Sequence, residues 1–180
     1  MNIEYKQNSM HINGIDHFNL DEILDCGQSF RWYRDGEGFS GTALGKSVYA
    51  EQHGRDVIIT GAAEGEGWEE YFDLYRDYGA IKQHYAQKDE YLRQGMAFAG
   101  GIRILKQPEF ETLISFIISA NNNVKRIKGI VDKMCRRYGQ KIGEDAYDFP
   151  MAAALSNADE AGLKECGAGY RAAYIIRRQG

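Results

Sequence analysis

Glu109-Phe110-Glu111-Thr112-Leu113-Ile114-Ser115-Phe116-Ile117-Ile118, then Ser119-Ala120-Asn121-Asn122-Asn123, then Val124-Lys125-Arg126-Ile127-Lys128: this run, opened by Pro108 and closing near Tyr138, decides how the chain is read. The segment before the asparagines is apolar almost all round, which predicts a helix buried in a core. After them Val124, Ile127, Ile130, Val131, Met134, Cys135 and Tyr138 recur at helical spacing, and Gly139 supplies a stop. Asparagine caps a helix start through its side-chain oxygen, so the reading is helix, tight turn, amphipathic helix.

Charge makes the elbow unusual. Lys125, Arg126 and Lys128 crowd the first turn of the second helix, where the backbone dipole is already positive. Cations there are unfavourable unless an anion is near, and free amides beside Asn, Arg and Lys make a phosphate or base-edge site. A solvated helix start capped by one asparagine is the favoured reading when the motif is taken alone.

The rest of the composition narrows the field. At 180 residues the chain suits one large domain or two small ones. Twelve Tyr, eight Phe and two Trp exclude a disordered tail. No apolar run approaches a membrane span, and the polar N-terminus is no signal peptide. Cys26, Cys135 and Cys166 are odd in number and widely spaced, which points to a reducing cytoplasm rather than to disulfides or zinc. The net charge of −4 hides an asymmetry: residues 1–99 carry 9 Lys and Arg against 17 Asp and Glu, residues 100–180 carry 13 against 9. Any polyanion contact is therefore expected in the second half, concentrated from Lys125 to Lys141.

Along the first half, Met1 to Asn13 reads as frayed or as an edge strand. Asn19-Leu20-Asp21-Glu22 starts a short capped helix that stops at Gly27. Gln28 to Tyr33 begins a strand, Phe39 to Leu44 returns, and Ser47–Gln52 with Arg55–Thr60 makes a second hairpin. From Trp68 the period becomes helical, with Trp68, Tyr71, Phe72 and Tyr75 on one face and a helical region continuing to Gly95. In the second half Pro150 starts a short helix, Ser156 to Asp159 forms a capping box for the next, and Gly169-Tyr170-Arg171-Ala172 opens a last one. The fold class expected is α+β: an antiparallel β-sheet domain with short helices over residues 1–98, then the first part of a helical domain over residues 99–180.

Several motifs fail. Leu44-Gly45-Lys46-Ser47 resembles a P-loop but lacks the earlier glycine and sits in a sheet. Gly167-Ala168-Gly169-Tyr170-Arg171-Ala172 fits the dinucleotide fingerprint but follows a helix rather than a strand. His11, His17, His53 and His84 have no metal-ligand spacing, and no cofactor or metal is expected.

Three features remain: Gly27-Gln28-Ser29-Phe30-Arg31-Trp32, the elbow Asn121 to Arg126, and Gly167 to Ala172. In this order and spacing they resemble the 8-oxoguanine DNA glycosylases of the helix-hairpin-helix superfamily. The likeness extends to Asn19-Leu20, Gly101-Ile102-Arg103-Ile104-Leu105 and Phe149-Pro150, and so spans most of the chain. It implies a sheet half like that of TATA-binding protein followed by the helical glycosylase domain. It implies base excision repair of double-stranded DNA carrying 8-oxoguanine opposite cytosine, by an enzyme that flips the damaged nucleotide into a pocket. The residue matching Asn121 would enter the vacated hole. Those matching Arg126 and Arg171 would donate to the orphaned cytosine, and the one matching Tyr170 would wedge the opposite strand. Gly27 would present its carbonyl to the N7 hydrogen that normal guanine lacks. Taken singly, Gly27 is also read as a helix stop, Asn121 as a cap and Tyr170 as core. Phe30 and Trp32 are expected in the core, and Arg31 is open.

The resemblance also implies a catalytic lysine, forming a Schiff base at the sugar, and an aspartate. Both are expected beyond Gly180, so no catalytic residue is assigned within the chain, and the chain alone is expected to bind DNA weakly without turnover. The full-length protein is expected to be a cytoplasmic monomer (nucleoid-associated in a prokaryote), with no membrane partner. Two other classes stay open: a non-catalytic DNA-damage-binding module, and a helix-turn-helix regulator built on the elbow, which the apolar helix before it disfavours.

Overall fold

The computed structural model describes residues 1–176; Arg177-Arg178-Gln179-Gly180 lie outside the described residues. The fold is α+β. Its strands are β1 Asn2–Lys6, β2 Ser9–Asn13, β3 Trp32–Asp35, β4 Gly38–Ala43, β5 Lys46–His53 and β6 Asp56–Thr60. They form one six-stranded sheet in the order β1-β2-β6-β5-β4-β3, with antiparallel registers such as Met10 against Ile59 and Trp32 against Gly41. The helices are α1 Leu20–Leu24, α2 Trp68–Tyr71, α3 Tyr78–Ala86, α4 Glu90–Phe98, α5 Glu109–Ser119, α6 Val124–Tyr138, α7 Ala152–Ser156, α8 Glu160–Glu165 and α9 Ala172–Ile176, the last preceded by a 3-10 turn over Gly169–Arg171. The chain divides into two compact units, Met1–Gly41 with Val48–Lys106, and Thr42–Ser47 with Gln107–Gly180.

In the first unit the alternating strands bury Met10, Ile12, Val57 and Ile59, and the core is closed by an aromatic cluster of Trp32, Trp68, Tyr71 and Phe72. Its buried indoles are satisfied: Trp32 Nε1 donates to the Tyr71 hydroxyl at 2.9 Å and Trp68 Nε1 to Glu66 Oε2 at 3.0 Å. Phe30 and Trp32 are core residues, as expected, and Arg31 is buried beside them. The strand expected from Gln28 begins only at Trp32, because Gln28 is used elsewhere, as described below. The face expected over Trp68 to Tyr75 is also shorter than its period suggested. Helix α2 ends at Tyr71, and Tyr75 is 76% exposed. The helical region after it is two helices rather than one, and Gly95 lies inside α4 instead of ending it.

In the second unit α6 runs as its spacing predicts, burying Ile127, Ile130, Val131, Met134 and Cys135. Helix α5 does not follow its prediction. It buries Glu111, Ile114, Ser115 and Ile118, but Phe116 is 74% and Leu113 51% exposed. An all-apolar sequence marks a helix as suited to burial on every face; only packing partners decide how many faces are covered. Helix α8 is capped by Asp159, whose side chain accepts from the Gly162 amide, and not by Ser156.

Candidate nucleic-acid interface

The three asparagines of the elbow do three different things. Asn123 is the N-cap of α6, its side chain accepting from the Arg126 amide at 2.9 Å. Asn122 instead serves the end of α5, its Nδ2 donating at 2.7 Å to the Ile118 carbonyl, one of the last-turn acceptors a helix leaves unpaired. Asn121 does neither. It takes the left-handed conformation at φ +52°, which asparagine tolerates better than other side chains, and it is exposed with no side-chain hydrogen bond among the described residues. One residue is thus turned out of the elbow while its two neighbours hold the helices on either side.

The basic stretch also sorts itself. Arg136 pairs with Asp132 at 3.0 Å, and Arg137 pairs with Glu165. Lys125 and Arg126 are exposed and make no side-chain hydrogen bond or ion pair among the described residues. No acid lies in the first turn of α6. Lys125 and Arg126 thus add their charge to the positive end of the α6 dipole, beside Asn121.

Arg171 differs from the expectation. Expected as a donor to DNA, it is 5% exposed, and its guanidinium spans two carbonyls. Nη2 donates to the Ala120 carbonyl in the elbow, and Nη1 reaches the Ala168 carbonyl at 3.4 Å. Nε has no hydrogen-bond partner among the described residues. The guanidinium also lies 4.4 Å from the ring centroid of Tyr170, which is 58% exposed and so not core. The elbow and the Gly167-to-Ala172 motif, 51 residues apart in sequence, are thereby joined by one side chain. Asn121, Arg126, Tyr170 and Arg171 all belong to the second unit.

Gly27 belongs to the first unit, in a turn at φ +84° between α1 and β3. Its carbonyl accepts no hydrogen bond among the described residues. Two residues that sequence reading did not credit hold this turn. Gln28 Nε2 donates to the carbonyls of Ile23 (2.9 Å) and Arg103 (2.8 Å), while its Oε1 accepts from the Leu105 amide at 2.9 Å. Arg103, buried, donates to the carbonyls of His17, Asp73 and Asp16 at 2.8–2.9 Å. The strand-like segment is further tied to the α1 cap: the Asn19 amide donates to the Gly101 carbonyl at 3.0 Å, and the Gly101 amide donates to Glu22 Oε2 at 2.5 Å. A Cβ at Gly101 would collide with the backbone of Phe18 and Asn19, so glycine is required there by close approach. The only early signal was the co-occurrence of Gly27-Gln28 with Gly101 to Leu105.

Among the described residues no group of His, Cys, Asp or Glu is arranged to hold a metal ion, and no helix is long and apolar enough to cross a membrane.

Comparison with known proteins agrees with this anatomy. Residues 11–113 match the family model of the 8-oxoguanine DNA glycosylase N-terminal domain, and residues 114–178 match that of the HhH-GPD superfamily base excision DNA repair proteins. An N-glycosylase/DNA lyase of Saccharomyces cerevisiae is 36% identical, over 97% of this chain and 52% of its own length. The 8-oxoguanine glycosylase/lyase of Clostridium acetobutylicum in its apo form superposes with a TM-score of 0.91 at 41% identity, covering 97% of this chain and 63% of that one. The same protein bound to double-stranded DNA with cytosine opposite 8-oxoguanine gives a TM-score of 0.92 at 40% identity, covering 98% of this chain and again 63% of that one. The chain spans about half the length of the curated relatives it matches. On the model covering residues 11–113, it belongs to the 8-oxoguanine DNA glycosylase family.

Proposed function

We propose that this chain carries the duplex-reading part of an enzyme that removes 8-oxoguanine paired with cytosine and cleaves the resulting abasic site through a lysine Schiff base. The observation that supports it most is the Arg171 bond to the Ala120 carbonyl. It joins the two motifs that carry Asn121, Arg126 and Tyr170, all three exposed. Asn121, turned out by its left-handed backbone, fills the space left by the flipped nucleotide. Arg126 donates to the orphaned cytosine, whose edge offers acceptors to a guanidinium. Arg171 holds the elbow through its two carbonyl bonds and adds the N–H donors of the fork that those bonds leave unused. Tyr170, backed by the Arg171 guanidinium, wedges the stack. The Gly27 carbonyl, held by Gln28, accepts from the N7 hydrogen of the lesion. A normal guanine would set a lone pair against it, and an unmatched acceptor costs about 1–3 kcal/mol.

No catalytic residue is assigned within this chain, and the chain alone binds lesion duplex weakly without turnover. The partner is double-stranded DNA, met as a monomer in the cytoplasm or on the nucleoid. Borohydride trapping on an 8-oxoguanine:cytosine duplex tests the reading, with the product of the extended reading frame beside the 180-residue chain. A covalent adduct with the extended product and none with the chain is expected. An extended product that neither traps nor prefers the lesion duplex over an undamaged one overturns the reading. Preference without trapping leaves a damage-binding module.

A further inference from the structure

One side-chain cluster in the first unit has chemistry that duplex recognition does not use. Lys82, on α3, places its amine 3.1 Å from His17 Nδ1. The chain has ten lysines, and where others meet a charged partner it is a carboxylate: Lys6 with Glu4, Lys106 with Glu70 and Asp73, Lys164 with Glu160. A carboxylate holds the ammonium; an imidazole nitrogen is a base that can take its proton.

The corner is built rather than incidental. His17 sits at φ +52°, and Arg103 fixes its backbone by donating to the carbonyls of His17 and Asp16, each at 2.9 Å. Gly79 lies against the ring: a Cβ there would stand 3.1 Å from His17 Nε2 and 3.2 Å from Asp77 Oδ1. Gly100 also lies beside the amine, where a Cβ would stand 3.9 Å from Lys82 Nζ, and Lys82 keeps part of its surface exposed. Burial pushes the Lys82 amine below the ordinary lysine range; Glu22 opposes the shift and Arg103 adds to it.

We infer that Lys82 is an acyl-acceptor site, modified by a small acyl phosphate with His17 as the base. In the neutral pair the amine donates one N–H to His17 Nδ1, which leaves its lone pair free to attack. The lone pair forms the N–C bond at the acyl carbon, and the tetrahedral adduct collapses as the C–O bond to phosphate breaks, the phosphate leaving with the electron pair. The amine proton passes to His17 Nδ1 and then to water. The products are a lysine amide, inorganic phosphate and a proton, with no redox change.

Acetyl phosphate is the probe. The intact chain is incubated with it, and initial acetylation at each of the ten lysines is read by mass spectrometry of peptides. Lys82 is expected to react about fivefold or more faster than exposed Lys125, Lys133 and Lys141, a modest share of what a positioned base supplies. His17→Asn, which tolerates the left-handed backbone, should bring Lys82 down to their rate. His17→Gly serves the same purpose if the asparagine variant does not fold. A wild-type Lys82 rate at or below that of the exposed lysines overturns the inference, and does so whether or not either variant folds. An unchanged Lys82 rate in a folded His17 variant overturns it too.

Discussion

Arg126 and Arg171 occupy equivalent places in the sequence argument, each the arginine in the first turn after a conformational break, yet the structure loads them differently. Replacing Arg171 with alanine removes a charge-assisted bond to the Ala120 carbonyl, about 1.5–3 kcal/mol. It also uncovers two methylenes of a side chain in a residue 5% exposed, about 0.8 kcal/mol each. Against this, alanine no longer buries an Nε without a partner, which returns about 1–2 kcal/mol. The net loss is about 2–3 kcal/mol, borne by the elbow. Both tryptophans lie in the first unit, so their fluorescence would miss it. Amide exchange of the α5–α6 peptides reads it directly, and Arg171→Ala should speed their exchange about 30- to 150-fold. Arg126→Ala, on an exposed side chain without a partner, should change the same exchange by less than about 0.5 kcal/mol. In the full-length enzyme both variants should lose affinity for the 8-oxoguanine:cytosine duplex, about 5- to 150-fold each if each makes a base-edge contact. Equal exchange in the two variants would refute the assignment of Arg171 as the tie between the motifs. Loss of affinity in Arg171→Ala alone would mean that elbow geometry, and not a second donor, is what the duplex needs.

Other positions give sharper single readouts. Asn123→Ala removes the α6 cap and should cost about 1 kcal/mol in the same exchange assay, whereas a cost near zero would mean the helix start is held by other contacts. Gly101→Ala forces a Cβ into the backbone of Phe18 and Asn19, and should cost at least about 1–3 kcal/mol in a tryptophan-monitored melt; an unchanged melt contradicts the close approach. Burial tends to raise the Asp73 carboxyl, but hydrogen bonds from Tyr78 at 2.9 Å and Arg76 at 2.6 Å outweigh it and hold the group below the usual aspartate range. Its folded value lies under its unfolded one, so its contribution is fully present above about pH 4 and is lost as pH falls through the folded value. Asp73→Asn should therefore flatten the acid end of the stability curve, and an acid limb identical to wild type refutes the linkage.

Much of this architecture was legible because it depends on local rules. Turn chemistry and alternation located the β3–β4 and β5–β6 hairpins, and Val124 to Tyr138 announced α6 by period alone; Met1 to Asn13, expected to fray or to add one edge strand, instead forms the β1–β2 hairpin, with β2 paired on both sides. The failures have separate physical causes. For α5 the pattern was right and the environment was not in it: Phe116 is as apolar as Ile118, and only the presence or absence of a neighbour separates 74% exposure from none. Three consecutive asparagines look interchangeable in sequence, while backbone angles give them a left-handed turn, a C-terminal clamp and an N-cap. Gln28 and Arg103 were not singled out, and Arg171 was named for DNA contact rather than for its tie to the elbow, for a further reason. Gln28, Arg103 and Arg171 each work by donating to main-chain carbonyls far away in sequence, by as many as 87 positions for Arg103 and Asp16. Every residue carries a carbonyl, so the acceptor leaves no trace in the sequence, and the donor looks like any surface arginine or glutamine. Such donors are what hold Gly27 and the elbow in place, which is why the exposed asparagine and arginine of this site were easier to read than the buried side chains that aim them.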